Sequence, residues 1–369
     1  MSTPNLFKPF KLGRDLQLQH RVVMAPMSRF RADDNHVPAD YSVQYYGERS
    51  RVPGTLLITE ATEIADESGG FPNAAGIYTE EQQNAWAKIV AAVHENNSFI
   101  FSQQFAEGRI ANPGQLAKTG HVVVSAGSIP LTGLPEPHML TIPELNKYKE
   151  YFVAAAKAAI SIGFDGVELH YANGYLMNQF LEKVSNNRTD KYGGSPENHL
   201  RFPLEVIDAV SEAIGEDRLA VRISPWDDFQ EMSRGAENDT YKYFIETLAE
   251  RHPKLAYLHV IESRVLGGRD RDLDPEKEMN NDEFLALWSP RPYISTGGHT
   301  RESGIKVAEK HDNVLVAYAR QFLANPDLPT RFKKNLALNK YDRNTFYGGG
   351  KNGYITYPFA TEATESLAN

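Results

Sequence analysis

Eight short apolar runs rich in β-branched residues recur along this chain, and most are separated by segments with the 3.6-residue apolar spacing of an amphipathic helix. The pattern predicts strands near Val22–Met27, Thr55–Glu60, Phe99–Phe105, Gly166–His170, Leu219–Ser224, Leu255–Ile261, Tyr293–Thr296 and Val314–Tyr318. Helices are expected over Gln82–Val93, Ile142–Ile162 and Leu200–Ile214, the second carrying the strong helix former Ala-Ala-Lys-Ala-Ala with Gly163 as its stop. Near-continuous apolar strands alternating with helices imply a parallel sheet covered on its outer face. Eight such units fit a (β/α)8 TIM barrel, a fold of ~250 residues that grows by insertions. A single domain over residues 1–369 is expected, with long βα loops at 106–140 and 263–283. A doubly wound open sheet is the rival, but no G-x-G-x-x-G follows the first strand; Val22–Met27 runs into Ser28-Arg29-Phe30.

Charge and composition narrow the function. The formal net charge is −9, so no chain-wide positive field attracts nucleic acid or an anionic membrane. The absence of cysteine excludes disulfides, thiolate metal sites and cysteine nucleophiles. No run approaches the ~20 apolar residues of a membrane span, and the N-terminus lacks a signal-peptide core. A cytoplasmic protein is expected.

In a barrel of this kind chemistry gathers at the C-terminal strand ends. Here those ends carry Ser28, Glu60 and Ala61, Gln103, His170 and Asn173, Arg222, Thr296-Gly297-Gly298, and Ala319-Arg320. The stretch "HYANGY" sets an imidazole, a carboxamide and a phenol, His170, Asn173 and Tyr175, within six residues of one another. Read alone, it is a polar turn punctuated by Asn-Gly. A metal site fits poorly, since His170 has no second histidine at ligand spacing. A glycosidase would need two carboxylates, for which Glu60 and Glu168 are the candidates. A Schiff-base enzyme would need a lysine at a strand end, and none is there. Gly297-Gly298 lets backbone N–H groups approach a ligand, and Arg320 adds a fork-shaped cation, where such barrels commonly hold phosphate. Across the mouth, Gln103 matches a ring N–H and C=O together, Ser28 can donate to a ring carbonyl, and Arg222 can stabilise charge on a reduced ring. Those are the demands of flavin mononucleotide.

The chain resembles the old yellow enzyme family of FMN-dependent ene-reductases over essentially its whole length. "LFKPFKLGRDLQLQHRVVMAPMSRFRA" is similar to the family's opening, "GVELHYANGYLMNQFLEKVSNNRTDKYGGSPENHLRF" to its most diagnostic block, and "AVRISPW" to its fifth-strand segment. "NPDLPTRFKKNLALNKYDRNTFY" followed by "GYITYP" is similar to its closing segment. The resemblance implies that His170 and Asn173 bind the carbonyl oxygen of an activated alkene and that Tyr175 is the proton donor. It implies FMN contacts from Ser28, Gln103, His170, Arg222 and Arg320, with backbone help from Pro26, Met27, Ala61, Gly297, Gly298 and Ala319. Phe71, Phe229 and Tyr347 would line the substrate pocket, and NADPH would be the reductant. A monomer or homodimer is expected, acting on a small-molecule alkene without nucleic acid, membrane or metal. Ser28, Ala61, Phe105, Gly298 and Ala319 depart from the family's commonest residues, and none of these removes a catalytic group. An isomerase or reductase dedicated to one specialised natural-product alkene is the alternative.

Overall fold

A computed structural model describes residues 3–13, 15–267, 269–270 and 279–361. Eight parallel strands form the centre: β1 Val22–Met24, β2 Leu56–Ile58, β3 Phe99–Phe105, β4 Gly166–Tyr171, β5 Leu219–Ile223, β6 Tyr257–Ile261, β7 Tyr293–Thr296 and β8 Val314–Tyr318. They pair in sequence order, β8 pairs with β1, and β3 pairs with β4, so the sheet closes on itself. Around it lie α1 Tyr41–Arg49, α2 Glu80–His94, α3 Ile142–Ser161, α4 Pro196–Ile214, α5 Asn238–Arg251, α6 Asp282–Trp288, α7 Arg301–Lys310 and α8 Leu328–Lys334. The fold is the expected TIM barrel. Among the described residues, no helix is long and apolar enough to cross a membrane.

Period-2 alternation divides the strand residues between two apolar cores. Val23, Leu56, Ile58, Phe101, Ala220, Ile294 and Leu315 fill the barrel interior, while Val22, Leu57, Ile100, Leu219, Val221 and Val314 face the helices. A hairpin of Phe10–Leu12 with Leu16–Leu18 adds Leu12 and Leu18 to the interior cluster. Helix starts are locally encoded. Thr79 and Gln82 form a reciprocal capping box on α2, and at the start of α3 the Glu144 carboxylate accepts from Thr141 N and Oγ1, both at 2.7 Å. Gly163, at φ +103°, turns the chain out of α3 into β4.

The strand predictions hold to the residue for β3, β7 and β8, and run one to three residues long at the ends of β1, β2 and β6. The 106–140 segment is more ordered than a plain loop. It holds a short helix at Pro113–Leu116 and a parallel pair, Val124–Ser125 with His138–Met139. In the 263–283 segment, Val265–Leu266 pairs with Arg269–Asp270, and residues 271–278 lie outside the described set.

Candidate active site

A cavity of about 580 Å³ opens at the C-terminal end of the barrel, within the range typical of ligand sites. Pro26, Met27, Ser28, Phe71, Gln103, His170, Asn173, Tyr175, Arg222, Phe229, Gly297, Gly298, Ala319, Arg320 and Tyr347 all line it. Ala61, expected to contribute through its backbone, is buried and lies outside this lining. The two glycosidase candidates, Glu60 and Glu168, are buried and also absent from the lining, which removes that reading.

Strand register assembles the polar floor. Gln103 pairs with Glu168, and His170 pairs with Arg222, which in turn pairs with His259. Inside the wall, Glu168 accepts from Gln103 Nε2 at 2.6 Å and contacts His259 Nδ1 at 2.8 Å. Burial works against the Glu168 carboxylate, yet the His259 contact, the Arg222 charge and the Gln103 bond together hold it below the usual range. The hydrogen bonds of Glu168 thus orient the Gln103 amide and the His259 ring. His259 went unnoticed in the sequence although period-2 alternation along Tyr257–Ile261 aims it inward with Tyr257.

The "HYANGY" segment carries the imidazole on β4 and then turns sharply. Asn173 and Gly174 both take left-handed backbone, at φ +58° and +77°. A Cβ on Gly174 would sit 2.5 Å from the Gln230 Cβ, so only glycine fits there. The turn is held by Asn173 N donating to Ser224 Oγ at 2.8 Å and Gly174 N donating to Asn178 Oδ1 at 2.8 Å. The Asn173 amide is locked in one orientation. Its Oδ1 accepts from Arg222 Nη1 at 3.2 Å, and its Nδ2 donates to Asp227 Oδ2 at 2.8 Å. One Nδ2 hydrogen is left for a ligand. Tyr175 packs edge-on to His170, with centroids 4.8 Å apart, and to Phe105 at 4.9 Å.

Burial and the neighbouring Arg222 charge hold the His170 imidazole well below its ordinary range, so the ring is neutral with a single N–H. Burial pushes the Tyr175 phenol above its ordinary range, so it keeps its proton at neutral pH. Phe30, His299, Tyr341 and Phe346 also line the cavity and were missed from the sequence, because they arrive from loops with no periodic signal. Among the described residues, no cluster of three or more His, Asp or Glu is placed to hold a metal ion.

The profile of the NADH:flavin oxidoreductase / NADH oxidase family matches residues 5–339. The chain belongs to this family. It is similar to a "probable inactive reductase" of Epichloe festucae var. lolii, 42% identical over 98% of this chain and 97% of that protein. It is 41% identical to a chanoclavine-I aldehyde reductase of Penicillium roqueforti, over 98% of both chains. Among solved structures, the old yellow enzyme of Pichia sp. AKU4542 superposes with a TM-score of 0.88 at 37% identity, covering 96% of this chain and 94% of that one. The protein is thus an FMN-family oxidoreductase of the old yellow enzyme type.

The residues present suit a flavin. Arg222 Nε and His170 Nδ1 are buried without a partner among the described residues, so both are available to a bound ring. Gly297 and Gly298 both take positive φ, +116° and +67°, and a Cβ on Gly297 would meet Val265 at 3.0 Å. Arg320 lies beside them in the wall, donating to Tyr341 Oη at 3.3 Å.

Proposed function

We propose that this chain is an ene-reductase that reduces the C=C bond of α,β-unsaturated carbonyl compounds in two half-reactions, with NADPH as the reductant. The observation that carries the reading is one cavity wall that sets a neutral imidazole, an orientation-locked carboxamide and a protonated phenol around a single space. Ser28, Gln103, Arg222, Gly297, Gly298, Ala319 and Arg320 would hold FMN, with Pro26 and Met27 contributing backbone, and bound FMN supplies hydride chemistry.

His170 and Asn173 donate to the substrate carbonyl oxygen. As hydride reaches Cβ, negative charge moves onto that oxygen, and donors already aimed there stabilise it; losing one such donor typically costs ~10²–10³ in rate. Arg222 and Asp227 hold the Asn173 amide so that it need not reorient during the reaction. Tyr175 keeps its Oη proton until Cα becomes basic and then delivers it, and solvent restores it. Phe71, Phe229 and Tyr347 exclude water around the alkene.

Within this class an aldehyde is favoured as substrate, since one relative is named a chanoclavine-I aldehyde reductase. The relative named probable inactive favours a second reading, a chain devoted to one specialised alkene with little general turnover. The intact His170, Asn173 and Tyr175 set supports the first. Anaerobic addition of NADPH to the yellow protein should bleach it, and cyclohexenone should restore the colour. Bleaching without recovery on any enone or enal would reject ene reduction, and parallel runs with NADH fix the coenzyme preference.

A further inference from the structure

The catalytic set does not use the strap at residues 341–353 or the two buried arginines that grip it. Beyond the 3-10 turn Arg343–Thr345, the strap runs through Phe346, Tyr347 and Gly348-Gly349-Gly350 without strand or helix partners. Added Cβ atoms at those three glycines would meet nothing within 4 Å, so packing does not fix the glycine run. Side chains do. Arg29 donates from Nε to Phe346 O at 2.8 Å and from Nη2 to Gly353 O at 2.9 Å. Arg31 donates from Nε to Gly350 O at 3.0 Å, from Nη2 to Thr345 O at 3.0 Å and from Nη1 to Phe346 O at 3.2 Å. The arginines are anchored in turn. The Arg31 guanidinium lies 4.6 Å over Tyr354, Tyr354 stacks on Tyr45 at 3.9 Å, and Arg49 covers the far face of Tyr45 at 3.8 Å.

Between the two arginines Phe30 takes left-handed backbone, φ +51°, an outlier for an aromatic residue. It lets its neighbours reach the strap while its own ring enters the cavity. That ring lies 5.5 Å from Phe71 and 5.5 Å from Tyr347, and Phe71 lies edge-on to Tyr175 at 6.4 Å. The result is a continuous aromatic wall from the proton donor out to the rim, where Tyr347 is 60% exposed. Phe229, also part-exposed, lines the cavity as well.

We propose that this wall selects alkenes bearing a flat aromatic substituent, and that Arg29 and Arg31 are the positioning residues that set it. The proposal rests on the ene-reductase reading for its substrate class. Edge-to-face ring contacts reward an aromatic ring over a saturated ring of the same size, whereas an unstructured apolar mouth would reward both alike.

The test compares 3-phenylpropenal with 3-cyclohexylpropenal on the FMN-loaded enzyme. The wild type should show a KM roughly 3- to 10-fold lower for the aryl substrate, the scale of one or two aromatic contacts. Tyr347→Leu should bring the two KM values together. Arg31→Ala should do the same with flavin content unchanged, and Arg31→Lys should not rescue it, because an ammonium cannot span the carbonyls the planar fork joins. Should Arg31→Ala fail to fold, Tyr347→Leu, which leaves the clamp intact, decides the matter. Equal KM values in the wild type, or a preference that survives in Tyr347→Leu, would overturn the wall. Cyclohexenone turnover by the same preparation tests the reductase reading separately. If no enone is reduced, calorimetric binding of the two enals still decides: an aryl preference lost in Tyr347→Leu supports the wall, and equal affinities reject it.

Discussion

At the scale of single residues, Tyr175 is the group whose role is most sharply separable. Its phenol is kept protonated by burial, and its ring is fixed by His170 and Phe105. Tyr175→Phe keeps the packing and removes only the proton. Stopped-flow should find alkene-driven flavin reoxidation slowed by roughly 10²–10⁴, the range for a lost general acid, with NADPH-driven reduction nearly unchanged. An equal loss in both half-reactions would remove Tyr175 from that role. Asp227 accepts from Asn173 Nδ2 and, through its other oxygen, from Phe229 N at 3.0 Å. In Asp227→Ala the amide is free to rotate, and the KM for cyclohexenone should rise about tenfold, the scale of a lost hydrogen bond to a charged group. An unchanged KM would mean that Arg222 alone orients the amide.

At the scale of elements, what the sequence discloses tracks how periodic each segment is. Strands β3, β7 and β8 are continuous apolar runs bounded by turn residues, and their limits could be read directly. That residues on strand ends line the cavity was legible for the same reason, since the barrel fixes where a strand end points. Asp227, His299, Tyr341 and Phe346 come from loops whose conformation is set by long-range hydrogen bonds that leave no local pattern. The 228–235 loop is an example. Gln230, Glu231 and Arg234 take left-handed backbone at φ +60°, +59° and +49°, each costing on the order of 1–3 kcal/mol. Arg109, buried and distant in sequence, offsets that strain by donating to Gln230 O at 3.0 Å and Glu231 O at 3.3 Å, while also reaching Ile129 and Val184 carbonyls. Arg109→Lys keeps the charge and loses the fork. Hydrogen exchange over residues 229–234 should accelerate at least roughly tenfold, as expected for the loss of ~1.4 kcal/mol of local stability, while the barrel strands stay protected. Unchanged exchange there would mean the loop is held by Glu182 and Asp227 without Arg109.

At the scale of the whole molecule, the barrel carries a buried acid pair whose protonation couples to folding. Glu63 and Glu107 lie together in the wall, and burial pushes both carboxyls above the usual range, so at least one of them carries a proton at neutral pH. Glu107 ties the segment bearing Phe71 to the barrel: Phe71 N donates to Glu107 Oε1 at 2.8 Å. His36 also faces Glu63, with Nδ1 at 3.2 Å from Oε2. An acid whose folded pKa lies above its unfolded value gives stability that is complete below the unfolded value and is lost as pH rises through the folded one. For Glu107 that window opens near the ordinary carboxylate range and extends past neutrality. Glu107→Gln keeps the shape but cannot ionise. The variant and wild type should therefore melt at similar temperatures near pH 4, with the variant gaining several degrees on the wild type as pH climbs toward 9. Subtracting the two curves cancels the buried histidines, whose opposite pH dependence both proteins share. A difference that stays flat, or that grows toward low pH instead, would mean that the pair is ionised in the folded protein.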